Sequence, residues 1–333
     1  MDEVKELVAN IQKKQLSPIY ILMGDEPYYI DKISDFIANN VLDEAERGFN
    51  QMVLYGRDVS VDDIVSNAKR YPMMADRQVV IVKEAQELSR TIDNLAAYAE
   101  NPLESTVLVI CYKYKTLDKR KKLYKAAKKT GIIFESKKMY EDKVADWIRK
   151  VLAGQKYSIT PKASQMLVEF LGNDLGRISK ELEKLQLILP KESQVTPEII
   201  EENIGISKDF NNFELRKAIG DRDVVKATKI IHHFAQNPKD NPIIVTVSML
   251  FLFFTQLLKY HGLNDHNPKS VASALKINPY FVKEYQVAAR NYPMKKVSYA
   301  VATLREIDVQ TKGVGSNADM ADLLKELLVK VML

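Results

Sequence analysis

The residues of this chain best placed to do chemistry lie in "MGDEPYYIDKI", Met23 to Ile33, between an apolar run and a helical pattern. A buried strand, a glycine turn and a helix start form the layout of a phosphate-binding loop. Such loops need G-x-x-x-x-G-K-[ST]: the glycines let backbone N–H groups close on the phosphates, the lysine neutralises them, and the hydroxyl takes Mg²⁺. Only Gly24 is present. Asp25, Glu26, Pro27, Tyr28 and Tyr29 follow it, setting two carboxylates and a missing backbone donor against any anion. A second nucleotide motif belongs in "VVIVKEAQEL", Val79 to Leu88, where P-loop ATPases end a strand in acidic residues that hold Mg²⁺ and position water. Here the first acid is Lys83, whose charge repels magnesium, and Glu84 stands alone. By itself this stretch is an ordinary buried strand entering a turn. Coupled to the emptied loop upstream, it suggests an ATPase scaffold without its catalytic parts.

Other constellations are weaker. His232, His233, His261 and His266 include no H-x-x-x-H pair, and with the single Cys111 they offer no metal-ligand spacing, so no metal, cofactor or catalytic residue is expected. No G-x-S-x-G nucleophile elbow occurs. A basic run, Lys113 to Gly131, carries eight lysines and one arginine against Asp118 alone. Tyr114 and Tyr124 within it suit base stacking and its charge suits a phosphate backbone, but a solvated helix face capped by Asp118 and anchored by Leu123 and Ala127 explains the run as well.

The elements that must carry these residues follow from periodicity. At 333 residues the chain suits two or three domains, and 46% hydrophobic with 28% charged content belongs to a globular protein. The net charge of +5 permits nucleic acid as a partner without arguing for it. One cysteine excludes an internal disulfide, and the charged, amphipathic opening "MDEVKELVANIQKKQ" lacks an apolar signal core, so a cytoplasmic location is expected. Apolar strands at 19–23, 50–56, 78–82, 106–112 and 131–135 alternate with helical patterns at 28–40, 61–70, 90–100 and 117–129, which predicts a doubly wound parallel sheet. After Tyr140 the strand signal disappears. Val144, Trp147, Ile148 and Val151 stripe one helix, Thr160-Pro161 opens another, Asn173 caps a third, and Thr196-Pro197 starts a fourth. From Asp209 onward about six helical segments follow, without repeats. The longest apolar run, Ile243 to Leu258, is interrupted by Thr246, Ser248, Thr255 and Gln256. It reads as a buried core helix capped by Asn241 with Pro242 at its first position, too short for a bilayer.

Five stretches resemble one family, the delta subunit of the bacterial DNA polymerase III clamp loader. "YILMGDEPYYIDKI" looks like its opening strand and degenerate phosphate loop, and "AKRYPMMADRQVVIVKEAQEL" resembles its most characteristic segment. "DLGRISKELEKL" is similar to a helix of its small second domain, and "INPYFVKEYQVAARNYP" with "LREIDVQTKG" resembles its C-terminal domain. The resemblance implies an α/β plus all-α protein: an AAA+-like parallel-sheet domain (1–139), a small helical lid (140–208) and a helical collar (209–333). It further implies a subunit without ATPase activity of its own that binds and helps open the sliding clamp (beta) for loading onto primed DNA, joining the motor subunits (gamma/tau) and delta-prime through the collar, with no membrane contact. The family's clamp contact falls on Met73 and Met74. Local physics agrees, because Ser60 caps a helix, Pro72 ends it, and two large apolar side chains follow outside any periodic stripe. The same two residues would also serve simply to cover the sheet end. Met-Met replaces the Leu-Phe pair the family often carries. Tyr280, Lys119 and Lys122 are the candidate DNA contacts. The competing functions are an active AAA+ ATPase with an atypical phosphate site and a free-standing nucleic-acid-binding protein.

Overall fold

The computed structural model describes residues 2–315 and 318–332. The chain divides into two compact units, Met1–Met139 and Tyr140–Leu333.

The first unit is a five-stranded, wholly parallel sheet of β1 (Ile19–Gly24), β2 (Gln51–Tyr55), β3 (Gln78–Lys83), β4 (Thr106–Lys113) and β5 (Ile132–Glu135), in the order β2-β3-β4-β1-β5. Its central strands are apolar on both sides because both faces are covered. Ile19, Ile21, Met23, Val80, Val82, Leu108 and Ile110 pack on one face, with α4 (Val61–Ala68), α5 (Ala96–Glu100) and α6 (Lys122–Thr130). Tyr20, Leu22, Val79, Ile81, Val107, Val109 and Cys111 pack on the other, with α1 (Asp2–Gln12) and α2 (Pro27–Asn40). The period-2 alternation of a strand produces this division residue by residue. A short helix α3 (Glu44–Asn50), closed by an Asp43–Glu46 capping box, leads directly into β2.

Two helical expectations in this unit are corrected. Residues 90–100 do not form one helix: 3₁₀ turns at Ala85–Leu88 and Ile92–Leu95 precede the five-residue α5. The helix expected from Leu117 begins at Lys122, because Asp118 pairs with Arg120 (2.8 Å) and accepts its backbone N–H instead of capping a helix. The local Asp turn wins over propagation.

The second unit begins with α7 (Glu141–Gly154), α8 (Pro161–Leu171), α9 (Leu175–Ile188) and α10 (Pro197–Ile204). It also holds β6 (Ser158–Ile159) and β7 (Gln194–Val195), a short parallel pair that the sequence did not announce. Two-residue strands have no periodicity to read. Asp174, not Asn173, caps α9, accepting the Arg177 N–H at 2.9 Å. There follow α11 (Asn212–Gly220), α12 (Val224–Gln236), α13 (Ile243–His261), α14 (Pro268–Leu275), α15 (Val282–Asn291), α16 (Met294–Thr311) and α17 (Met320–Met332). Their core gathers around Leu250, Phe253, Phe254 and Leu257 of α13 and takes in Tyr285, Tyr292, Leu304 and Leu327. Arg216 lies beneath the rings of Phe213, Phe253, Phe281 and Tyr285 and pairs with Glu284 at 3.1 Å, so its buried charge is compensated. Pro242 sits at the cap position rather than inside α13. The helix is 19 residues long, longer than the apolar run alone, and passes a length-and-composition test for a membrane span. It is also not wholly buried: Ile244, Val245, Phe251, Leu252 and Leu258 are exposed along it.

Candidate functional site

The loop after β1 lies at the carboxyl end of the sheet, where parallel α/β folds place ligands. Its backbone is already engaged. Gly24 N–H bonds to the Lys115 carbonyl (3.0 Å), Glu26 N–H to the Ser136 carbonyl (3.2 Å), and Tyr28 N–H to the Glu26 carboxylate (3.0 Å). The Gly24 carbonyl accepts from Tyr114 N–H at 2.8 Å. Gly24 has φ of +127°, and a Cβ there would stand 2.1 Å from the Ser136 carbonyl oxygen. The glycine is therefore required by the close passage of the chain leaving β5. That requirement is internal to the fold and needs no phosphate.

The space beside this loop holds charge of its own. Lys113, at the end of β4, reaches Asp31 of α2 (2.9 Å) and Glu84 after β3 (2.7 Å), while Lys83 pairs with Asp35 (2.8 Å). Burial works against the Lys113 charge, but its hydrogen bonds to Glu84 and Asp31 outweigh that and raise its pKa. Burial likewise disfavours ionised Glu84, and Lys113 and Gln86 overcome it, holding the carboxyl below its usual range. For Lys83 burial is overcome by Asp35. Lys113 is thus a buried structural cation and not part of a solvated basic run, a placement its position at the end of an apolar strand could have signalled. Asp31 and Asp35, one helical turn apart on α2, went unread because their partners come from distant strands.

On the β2–β3 side of the sheet the chain makes a braced loop. Ser60 caps α4 in a capping box with Asp63, as the sequence predicts. The last carbonyls of α4 are then held: Ala68 O accepts from the Thr106 hydroxyl (2.8 Å) and the Tyr98 hydroxyl (3.3 Å), and Gln78 Nε2 reaches Asn67 and Arg70. Beyond them Tyr71 is 77% exposed, Met73 63%, and Met74 fully. Met74 has a left-handed φ of 52°, which for a non-glycine residue needs support from its surroundings. That support comes from Asn50, whose amide bonds both the Met73 N–H (2.6 Å) and the Met73 carbonyl (2.9 Å). Neither Asn50 nor Gln78 is visible from the sequence as a brace, since both act across long separations.

The remaining candidates are scattered. Lys119 pairs with Glu135 at 3.3 Å and Lys122 opens α6, both in the first unit. Tyr280 is exposed in a 3₁₀ turn of the second. Tyr124 packs partly against the sheet core, leaving Tyr114 as the exposed aromatic of the basic run. The histidines take local partners, His261 meeting the Tyr292 carbonyl at 2.8 Å and His233 stacking on Phe210. Among the described residues no group of three or more His, Cys, Asp or Glu side chains is placed to hold a metal ion.

Comparison with known proteins is consistent from end to end. Residues 20–137 match the family "DNA polymerase III, delta subunit", and residues 209–330 match "DNA polymerase III delta subunit, C-terminal domain". DNA polymerase III subunit delta of Bacillus subtilis (strain 168) is 26% identical over 319 residues, covering 93% of this chain and 92% of that protein. Among solved structures, the Bacillus subtilis DNA clamp loader delta protein has 24% identity and a TM-score of 0.52, covering 99% of each chain, a likeness of fold. The expected class, a parallel α/β unit followed by helices, is the one observed. A strand-helix unit with its phosphate loop closed on itself, a helical remainder, and two matches in the same order give one answer: the chain belongs to the family of DNA polymerase III delta subunits.

Proposed function

We propose that this chain is the non-catalytic, clamp-engaging subunit of its loader: it binds the sliding clamp through Met73 and Met74, helps open it, and hands the ring to primed DNA. The carrying observation is the pair of exposed methionines on a loop that follows the held end of α4 and whose Met73 backbone Asn50 bonds at both N–H and carbonyl. Two adjacent large apolar side chains held out in water on a braced loop suit an apolar partner, and flexible thioethers conform well to an apolar pocket. The closed phosphate loop supports a role without nucleotide hydrolysis, leaving ATP turnover to the motor subunits (gamma/tau). Residues 140–208 act as the lid and 209–333 as the collar joining those subunits and delta-prime, a role favoured by the exposed apolar side of α13. Tyr280, Lys119 and Lys122 are the proposed DNA contacts, and the place of action is the cytoplasm.

The test is the double change Met73→Ala and Met74→Ala, with clamp affinity and melting temperature measured on one sample. Two buried methionines at an interface contribute about 2 to 5 kcal/mol after incomplete burial, so Kd should rise roughly 30-fold to several-thousand-fold. The melting temperature should barely move, because both side chains are mostly exposed in the monomer. Unchanged affinity removes both residues from the site.

A further inference from the structure

Met73 is tied to a helix distant in sequence. Asn50 closes α3, is itself 5% exposed, and bonds Met73 at both its N–H and its carbonyl, while its Nδ2 also meets the Glu46 carbonyl of its own helix (3.2 Å). A side-chain amide that satisfies a backbone unit in both senses fixes that unit's position and orientation, much as a neighbouring strand would. The residue before Asn50 is Phe49, 76% exposed, and Phe49, Asn50, Tyr71 and Met73 line one surface cleft. The bond therefore joins two apolar projections that the sequence separates. We infer that Asn50 is a positioning residue for docking: it locks the Met73 backbone to the end of α3, so that Phe49 joins Met73 and Met74 in a single apolar surface received by the sliding clamp. This rests on the reading that the methionines contact the clamp, and it adds a second segment and a brace to that contact.

The brace acts before binding. A loop already fixed in its docking shape has less freedom to lose on association, and rigid presentation of an aromatic beside flexible methionines sets which pocket shapes are accepted. Four full-length variants test this against the sliding clamp of the same organism by surface plasmon resonance: Asn50→Ala, Phe49→Ala, the Met73/Met74 double alanine, and that double variant with Asn50→Ala added. Amide hydrogen exchange over residues 71–76 and melting temperature are read alongside. Asn50→Ala should speed exchange over 71–76 and weaken clamp binding about 10-fold, and Phe49→Ala, whose side chain is exposed and safe to remove, should weaken it about 5- to 10-fold without lowering the melting temperature. In the double-alanine background Asn50→Ala should cost no further affinity, since a residue acting through the methionines has nothing left to position. A purely structural Asn50 would lower the melting temperature while leaving the affinity of the folded fraction intact, and that result overturns the inference. So does wild-type binding by Asn50→Ala or Phe49→Ala when the double alanine binds poorly, in which case the methionine contact itself survives. If the double alanine binds as tightly as the wild type, the methionine reading fails and the brace falls with it.

Discussion

Glu169 shows what a single side chain can decide. It lies on α8 against α11, accepts the Phe213 backbone N–H, and leaves its Oε2 buried without a partner. Burial is the main influence and raises its pKa to about 7, with Glu214 adding to the rise and Arg216 opposing it. A carboxyl that holds its proton more tightly when folded than when unfolded makes stability fall as pH climbs from its ordinary value near 4.5 toward about 7, since the native state then binds more protons. Above that window the penalty is complete. Glu169→Gln should therefore melt higher than wild type at pH 8, by a margin that shrinks markedly toward pH 5. Equal melting differences at both pH values would show that the carboxylate finds solvent or a partner in solution. Nothing in the sequence singles out Glu169, because its state follows from neighbours about 45 positions away, whereas Met73 and Met74 stand out as apolar residues outside any stripe.

Among the elements, α13 is both core and surface. Its buried side carries Val247, Leu250, Phe254 and Leu257, while Ile244, Val245, Phe251 and Leu252 face outward, so the helix spends apolar residues where the monomer gains little. Under the collar proposal those residues meet a partner subunit. Leu252→Glu should leave the melting temperature within about 0.5 kcal/mol of stability, as exposed substitutions do, yet abolish co-elution with the motor subunits in size-exclusion chromatography. Normal co-elution would move the joint elsewhere on the collar. Such elements were legible to different degrees. The strands were found nearly to the residue because five apolar runs of β-branched type admit one reading, and the capping box at Ser60 fixed the start of α4. The 3₁₀ turns at 85–95 were missed because apolar residues at three- and four-residue spacing suit either helix, and the choice was made by packing under the sheet. The exposed face of α13 was hidden by its own uniformity: with apolar residues all round, periodicity cannot tell the side that faces the core.

At the scale of the whole molecule, a parallel-sheet unit followed by helices was readable from the sequence, and the expectation of lost nucleotide chemistry came from motifs, whereas the folded backbone that supports it was not legible there. The missing lysine and hydroxyl are plain in the sequence. The amides turned inward at Gly24 and Glu26 emerge only once β5 and the chain beyond β4 are folded beside them. Millimolar Mg-ATP should accordingly leave the melting temperature of the full chain unchanged. A ligand at about 100 times its Kd would add roughly 2.7 kcal/mol, a shift easily seen. An ATP-dependent rise would reopen the case for an active site.

The Lys113–Asp31–Glu84 cluster has a consequence for timing. In a working nucleotide site the counter-charges arrive and depart with the ligand, and that traffic is what gives the protein two shapes. Here the cation and its anions are covalent parts of the same chain, linking α2, β3 and β4 at distances of 2.7 and 2.9 Å. These charges are satisfied without a ligand, so the proposed non-catalytic role needs no charged and discharged forms to alternate between. Under the proposed function such a subunit is a stator beside ATP-driven partners: a fall in the cell's energy charge would slow their strokes, while the geometry of this strand-helix unit is expected to stay the same throughout the cycle.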